Sequence, residues 1–434
     1  MRPMRRVILL IIDGLGDRPS PSLKWLTPLQ AAEIPNMDLM AAKGLLGMQY
    51  PIAPGIPPGS DSGHLSIFGY DLDREYPGRG VFEALSEGVV SVGVIFRANF
   101  STVREENGKL VVVDRRAGRI EGEDAFSLSS ELKELYLLNG EVKAKFLHTL
   151  EHRGFLILEG EGLSSLVTDV DPHEEGYYVL EPEPIDDKAV KTVEAVREFL
   201  LISYRILKDH EVNRKRIAEG KLPANFILLR GASSPTKLEP FSLRWGFKPA
   251  AVAAGPMYKG IARALGFEVF HPPGATGLPD SDFSSKIRKA LDLLEEFDFI
   301  YVHMKGTDVA SHNKDPEQKV RVLERIDLAL EPLTDPPEDL LVVITGDHAT
   351  PCSLGKHSGD PVPVLFYGKG LPKDDSSNFH ELDAQVGGLG WFTGSSMMRL
   401  ILNYSDRALE YGLRPFPRPR DYIPKIEMLN PLRL

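Results

Sequence analysis

Thiols are almost absent. Cys352 is the only cysteine in 434 residues, which excludes an intrachain disulfide and a cysteine-rich zinc site. So little cysteine suits a reducing cytoplasm, the compartment expected for this chain. Long hydrophobic runs are missing as well. The apolar run at residues 7–12, which follows Arg2, Arg5 and Arg6, stops at Asp13 after six residues. That is short for a signal-peptide core and far short of a bilayer span, so no membrane partner is expected. Nor is positive charge in excess: 51 Lys and Arg stand against 62 Asp and Glu, a net charge of −11. That balance argues against nucleic acid as the partner. Internal repeats, low-complexity tracts and long linkers are also lacking.

What remains is an ordinary globular composition, 42% hydrophobic and 26% charged, long enough for one large domain or two moderate ones. Residues 7–12 are β-branched and leucine-rich without alternation, the pattern of a strand buried on both faces of a parallel sheet. Similar short runs occur at 226–229, 299–302, 340–344 and 362–366, with helical periodicity at 283–296 and 316–331. Strands alternating with helices predict an α/β fold with a mostly parallel sheet. From about 90 to 180 the runs shorten, and turn signals interrupt them at Asn107-Gly108, Ala117-Gly118 and Asn139-Gly140. With one long helix expected over 186–208, this region reads as an inserted α+β domain. The expected division is a core in two parts, 1–90 and 235–434, around an insert at 91–234 that binds substrate and acts as a lid. Hinges are expected near 85–95 and 225–240.

The chemistry is suggested by where aspartates and histidines fall relative to the strands. Asp13 ends the first strand, Asp347 and His348 follow the strand LLVVIT, and Asp308 and His312 follow FIYVH. His357 lies in a glycine-bearing loop just before VPVLF. Ligands in open α/β sheets bind beyond the carboxyl ends of the strands. A single aspartate there is commonly a helix cap, but recurrence at several strand ends is not what capping favours. Three carboxylates and three imidazoles at one edge form a donor set for two divalent ions. The segment Pro57–Ser66 reads as a loop feeding a helix N-terminus, where free amides favour an anion. A serine there beside a metal would be an activated nucleophile, and Ser60 and Ser62 both qualify.

The segments IIDGLGDRP, PPGSDSGHLSIFGYD, PGRGVFEALSEG, DPHE, PANFILLRG, YKGIA, VHMKGTDVASH, TGDHATPC and HSGDPVPVLFYG occur in this order. Together they resemble the archaeal-type cofactor-independent phosphoglycerate mutases of the alkaline phosphatase superfamily, through nearly the whole chain. The resemblance implies an alkaline-phosphatase-like core and two divalent ions, manganese first, with magnesium, cobalt or zinc as alternatives. It implies no use of 2,3-bisphosphoglycerate. It assigns one ion to Asp13, Ser60, Asp347 and His348, and the other to Asp308, His312 and His357. It selects Ser60 over Ser62 as the residue that carries a phosphoserine between 3-phosphoglycerate and 2-phosphoglycerate. TGDHAT and VASH depart from the family pattern beside the ligands without changing one.

A substrate with a carboxylate and a phosphate calls for arginine forks. The candidates are Arg97, Arg115, Arg116, Arg119 and Arg230. Lys259 in YKGIA resembles a lysine that faces the phosphoryl group in bacterial relatives, and His173 in DPHE is expected to bind substrate or handle the glycerate proton. Two other readings share these residues: a phosphohydrolase or phosphotransferase of the same superfamily, and a non-catalytic metal-binding scaffold. The sequence leaves oligomeric state open and is compatible with a homo-oligomer.

Overall fold

Residues 7–12 form a central strand of a sheet in the computed structural model, which describes residues 4–89, 93–234 and 238–432. The strands run β1 (Arg6–Ile12), β2 (Leu45–Tyr50), β3 (Val94–Glu106), β4 (Lys109–Asp114), β5 (Leu135–Leu137), β6 (Val142–His148) and β7 (Arg153–Glu159). They continue as β8 (Phe226–Ser233), β9 (Pro249–Val252), β10 (Glu268–Phe270), β11 (Phe299–Met304), β12 (Leu340–Thr345), β13 (Val362–Tyr367) and β14 (Gly390–Thr393). The chain divides into two compact units, Met1–Tyr76 with Leu238–Leu434, and Pro77–Lys237.

The larger unit is built on an eight-stranded sheet in the order β10-β9-β11-β1-β12-β13-β2-β14. Strand β1 pairs parallel with β11 and with β12, while β13 runs antiparallel to both β12 and β2. This is the mixed α/β fold with a mostly parallel sheet that the alternation of strands and helices predicts. Every residue of β11, β12 and β13 is buried. One face is covered by Met37 and Met40, by Phe283 and Ile287, and by Val322, Leu323 and Ile326, each set on its own helix. These apolar contacts explain why the central strands carry no polar alternation. Among the described residues no helix is long and apolar enough to cross a membrane.

The smaller unit has an antiparallel sheet, β4-β3-β7-β6-β5, with β8 also paired to β3. Its core gathers Phe96, Phe100, Phe146, Val196 and Phe199. Two features differ from the sequence reading. The run at 226–229 belongs here, antiparallel to β3, rather than among the parallel strands. Its apolar residues are buried by the unit's own core, which a periodicity argument cannot distinguish from burial in a parallel sheet. The unit also begins at Pro77, not near 91, because the helix Arg79–Ser86 packs Val81 and Ala84 against Ile95, Phe155 and Ile157. Of the expected hinges, residues 90–92 and 235–237 lie outside the described residues, and 226–233 is strand.

His152 in this unit supplies a pH test. Burial, reinforced by Arg153 and opposed by Glu151, pushes its pKa down from 6.5 to about 4. The unfolded chain therefore takes up a proton that the folded chain refuses. Stability attributable to this residue is complete above pH 6.5 and declines as pH falls toward 4. Urea unfolding of the full chain across this range should show that slope, and His152→Gln should flatten it.

Candidate active site

Because β1, β11 and β12 are parallel, their carboxyl ends share one edge of the sheet. Asp13 directly follows β1, Lys305 follows β11, and the helix Thr307–His312 starts two residues later with Asp308 in its first turn. Asp347 and His348 follow β12. Since β13 returns antiparallel to β12, the loop between them stays at the same edge and brings His357 with it. The turn after β1 needs Gly14, at φ +67°, where a Cβ would lie 2.9 Å from Thr350 Oγ1 and 3.1 Å from Asp308 Cα. The fully buried Lys319 fixes this turn, donating to Gly14 O and Asp17 Oδ2, each at 2.8 Å.

Ser60 is the first residue of the helix Ser60–Ile67. Its Oγ lies 3.3 Å from His348 Nε2. Ser62, the other sequence candidate, is held by local capping: its Oγ accepts from Gly59 N at 2.9 Å and donates to Gly59 O at 3.1 Å. One residue on, Gly63 passes so close to the loop after β12 that a Cβ would lie 2.3 Å from Asp347 O. Gly63→Ala should therefore destabilise the chain by about 1–3 kcal/mol, the usual effect of overpacking. It should also displace Asp347, with the loss of turnover exceeding the loss of folded protein in parallel unfolding and activity measurements.

All seven proposed ligands come together. Asp13 Oδ1 lies 3.4 Å from His348 Nε2 and has no hydrogen-bond partner among the described residues. The same is true of Asp347 Oδ2, also 3.4 Å from His348 Nε2. Ligand atoms of Asp13, Asp308 and His348 lie within 4.8 Å of one another, as do those of Asp308, His312 and His357. These side chains are fully or largely buried except for His312.

The imidazole tautomers follow from their partners. His312 Nδ1 donates to Gly355 O at 2.9 Å and His357 Nδ1 to Pro58 O at 2.8 Å, since a carbonyl only accepts. Thr350 Oγ1 donates to Asp308 Oδ1 at 3.2 Å, so it accepts from His348 Nδ1 at 2.8 Å. Each ring thus turns its Nε2 toward the carboxylates, the arrangement that orients a histidine for a metal ion. Two buried carboxylate oxygens without a hydrogen-bond partner among the described residues, beside an imidazole nitrogen, fit divalent cations.

The Asp13 and Asp308 carboxylates are held charged, and two of the imidazoles shift with them. The Asp308 hydrogen bond raises His312 against burial, and burial alone would lower His348, but Asp347 and Asp13 raise it. Burial alone would raise the Asp13 carboxyl, but Lys305, His303 and His348 hold it well below the usual range. Asp308 is likewise lowered, with burial and Asp13 opposed by His312, Lys305 and His348. Burial lowers His357, and neighbouring His348 adds to that effect.

Several residues at this edge were not identified from sequence. Tyr258 donates to Asp13 Oδ2 and stacks on His303, with ring centroids 3.4 Å apart. His303 Nε2 lies 3.2 Å from the same oxygen. His64 Nδ1 donates to Ser60 O at 2.6 Å. Tyr258 and His303 carry no linear signal, because each contacts the site across the fold, whereas His64 sits one turn after Ser60 on the same helix. Lys305 differs: it sits three residues before Asp308 in the KGTD motif.

Of the expected substrate residues, the arginines and His173 belong to the smaller unit and Lys259 to the larger. In the smaller unit Arg97 pairs in register with Arg230 across β3 and β8. Arg230 Nη1 donates to Asp171 Oδ2 at 2.8 Å, and Arg115 grips both oxygens of Asp171 at 2.9 and 2.6 Å. His173 joins this group through a backbone bond to Asp171 and a 3.0 Å contact of Nε2 with Asp169. The fully buried Asp171, missed from sequence although it opens DPHE, is the hub. Arg116 and Arg119 are exposed, and their side chains have no hydrogen bond or ion pair among the described residues. Lys259 is half-buried on the helix Pro256–Ala264 of the larger unit, also without such a partner.

Fold and site define an α/β enzyme that gathers carboxylates, imidazoles and a serine at the carboxyl edge of its sheet. The family model for 2,3-bisphosphoglycerate-independent phosphoglycerate mutase matches residues 41–213. The Ignicoccus hospitalis protein of that name is 45% identical over 413 residues, 94% of this chain and 99% of its own. Among solved structures, the cofactor-independent phosphoglycerate mutase of Thermoplasma acidophilum superposes with a TM-score of 0.71 at 36% identity, covering 93% of this chain and 100% of that one. A Pyrococcus horikoshii protein reaches a TM-score of 0.80 at 36% identity, covering 95% and 100%. The chain belongs to the 2,3-bisphosphoglycerate-independent phosphoglycerate mutases, and it is an isomerase.

Proposed function

We propose that the chain interconverts 3-phosphoglycerate and 2-phosphoglycerate in the cytoplasm, through a phosphoserine on Ser60 and with two divalent ions but no 2,3-bisphosphoglycerate. The observation that carries this reading is the set of three Nε2 atoms turned on Asp13, Asp308 and Asp347 beside the Ser60 hydroxyl. Asp13, Ser60, Asp347 and His348 would hold one ion, and Asp308, His312 and His357 the other. Manganese suits this oxygen and imidazole set, as do magnesium, cobalt and zinc to differing degrees. Bound there, the ions would neutralise phosphoryl charge and lower the serine hydroxyl pKa.

In the first half-reaction Ser60 gives up its hydroxyl proton as the Oγ–P bond forms, the bond from phosphorus to the 3-oxygen breaks, and that oxygen takes up a proton. Glycerate turns, its 2-hydroxyl gives up a proton and attacks the phosphoserine, and Ser60 is regenerated. The amides of the first helical turn at Ser60 have no intrahelical acceptor and favour the phosphoryl anion. We assign recognition of the substrate's acidic groups to Arg97, Arg115 and Arg230. Asp171 pre-orients two of these guanidiniums, which limits the ordering needed when an anion binds. Lys259, with no ion pair among the described residues, is assigned to the phosphoryl group.

The test is conversion of 3-phosphoglycerate, coupled through enolase, without 2,3-bisphosphoglycerate. Turnover that disappears with chelator and returns with manganese supports the proposal. Release of inorganic phosphate in place of 2-phosphoglycerate would assign the chain to the phosphohydrolases.

A further inference from the structure

Lys305 lies outside the proposed ligand set, yet its ammonium touches both halves of it. Nζ is 3.0 Å from Asp13 Oδ2 and 2.9 Å from Asp308 Oδ2. It also donates to Tyr258 Oη at 3.1 Å.

The two carboxylates divide their oxygens in the same way. Asp13 Oδ1 faces His348 Nε2 at 3.4 Å, whereas Oδ2 receives Lys305 and Tyr258. Asp308 Oδ1 faces His312 Nε2 at 3.3 Å and His357 Nε2 at 3.7 Å, whereas Oδ2 receives Lys305. The ammonium therefore occupies the oxygens turned away from the Nε2 atoms of His348, His312 and His357. A cation merely standing in for a metal would contact the Oδ1 atoms that those nitrogens face.

We propose that Lys305 is a positioning residue that straps Asp13 to Asp308 through their Oδ2 atoms and so presents both Oδ1 atoms to the ions. The inference rests on the two-ion reading of this site. Its effect should be greatest at the ion held by Asp308, His312 and His357. Tyr258 and His303 still restrain Asp13 Oδ2 without the lysine, but among the described residues Asp308 Oδ2 has no donor besides Lys305.

The experiment is calorimetric titration of Mn2+ into chelator-stripped full-length protein, wild type against Lys305→Met, Lys305→Gln and Lys305→Arg. Wild type should bind two ions. Lys305→Met should bind one of them about 10- to 100-fold more weakly, the range for residues that orient metal ligands. Lys305→Arg should recover most of the loss, since a guanidinium fork can also span two carboxylates. Near-UV circular dichroism reports folding; should Lys305→Met fail to fold, Lys305→Gln, which keeps a neutral donor, carries the comparison. Unchanged affinities would overturn the proposal while leaving the two-ion reading intact. Tighter binding would also overturn it, by showing that the ammonium competes with the ions. Fewer than two ions on wild type would overturn the two-ion reading, and the strap with it.

Discussion

Replacing Ser60 with alanine is expected to lower phosphoglycerate turnover by at least about four orders of magnitude, the scale on which removing a catalytic nucleophile acts. Folding should survive. Among the described residues the Ser60 hydroxyl has one hydrogen-bond partner, His348 Nε2 at 3.3 Å, and alanine at the first helical position removes no cap. The helix is anchored instead by Ser62 on Gly59 and by His64 on the Ser60 carbonyl. The corresponding Ser62→Ala change should give the opposite pattern, a stability loss of about 1 kcal/mol from the missing cap with most turnover retained. Steady-state rates beside unfolding curves for the two variants would separate nucleophile from cap. A Ser60→Ala enzyme with near-wild-type turnover would remove the proposed mechanism.

Stripping divalent ions is expected to abolish turnover and to lower the unfolding midpoint. In the ion-free chain Asp13, Asp308 and Asp347 are buried together, and two of their oxygens have no hydrogen-bond partner among the described residues. Ions that bind the folded chain and not the unfolded one would add about 2.7 kcal/mol per site at a hundredfold excess over Kd. Thermal unfolding of chelated protein, then of the same sample with manganese, should show that rise together with recovery of activity. Recovery of stability without activity would point to the non-catalytic scaffold.

Much of this site was legible in the chain because strand ends are. Each buried strand advertises itself by an unbroken apolar run, and the polar residues within four positions of its end lie at the sheet's edge, as Asp13, Asp347 and Asp308 do. His312 was legible by its helical spacing from Asp308, and His357 by the strand that follows it. The second layer was not legible. Tyr258 and His303 act through contacts between segments far apart in sequence, and Thr350, two residues after His348, gains its role only by also reaching Asp308. The arginine cluster was readable only in part, because Arg230, Arg115 and Arg119 look alike in sequence. What separates them is the buried Asp171, which holds the first two and not the third. The run at 226–229 was readable as a strand, whereas its sheet depended on pairing with β3.

The most direct measurement is to mix the manganese-loaded enzyme with 3-phosphoglycerate, quench in acid within a turnover, and map phosphorylated peptides by mass spectrometry. Phosphate on Ser60, discharged when unlabelled glycerate is supplied before the quench, is the expected result. Turnover with no phosphorylated peptide, or with phosphate on Ser62, would contradict it.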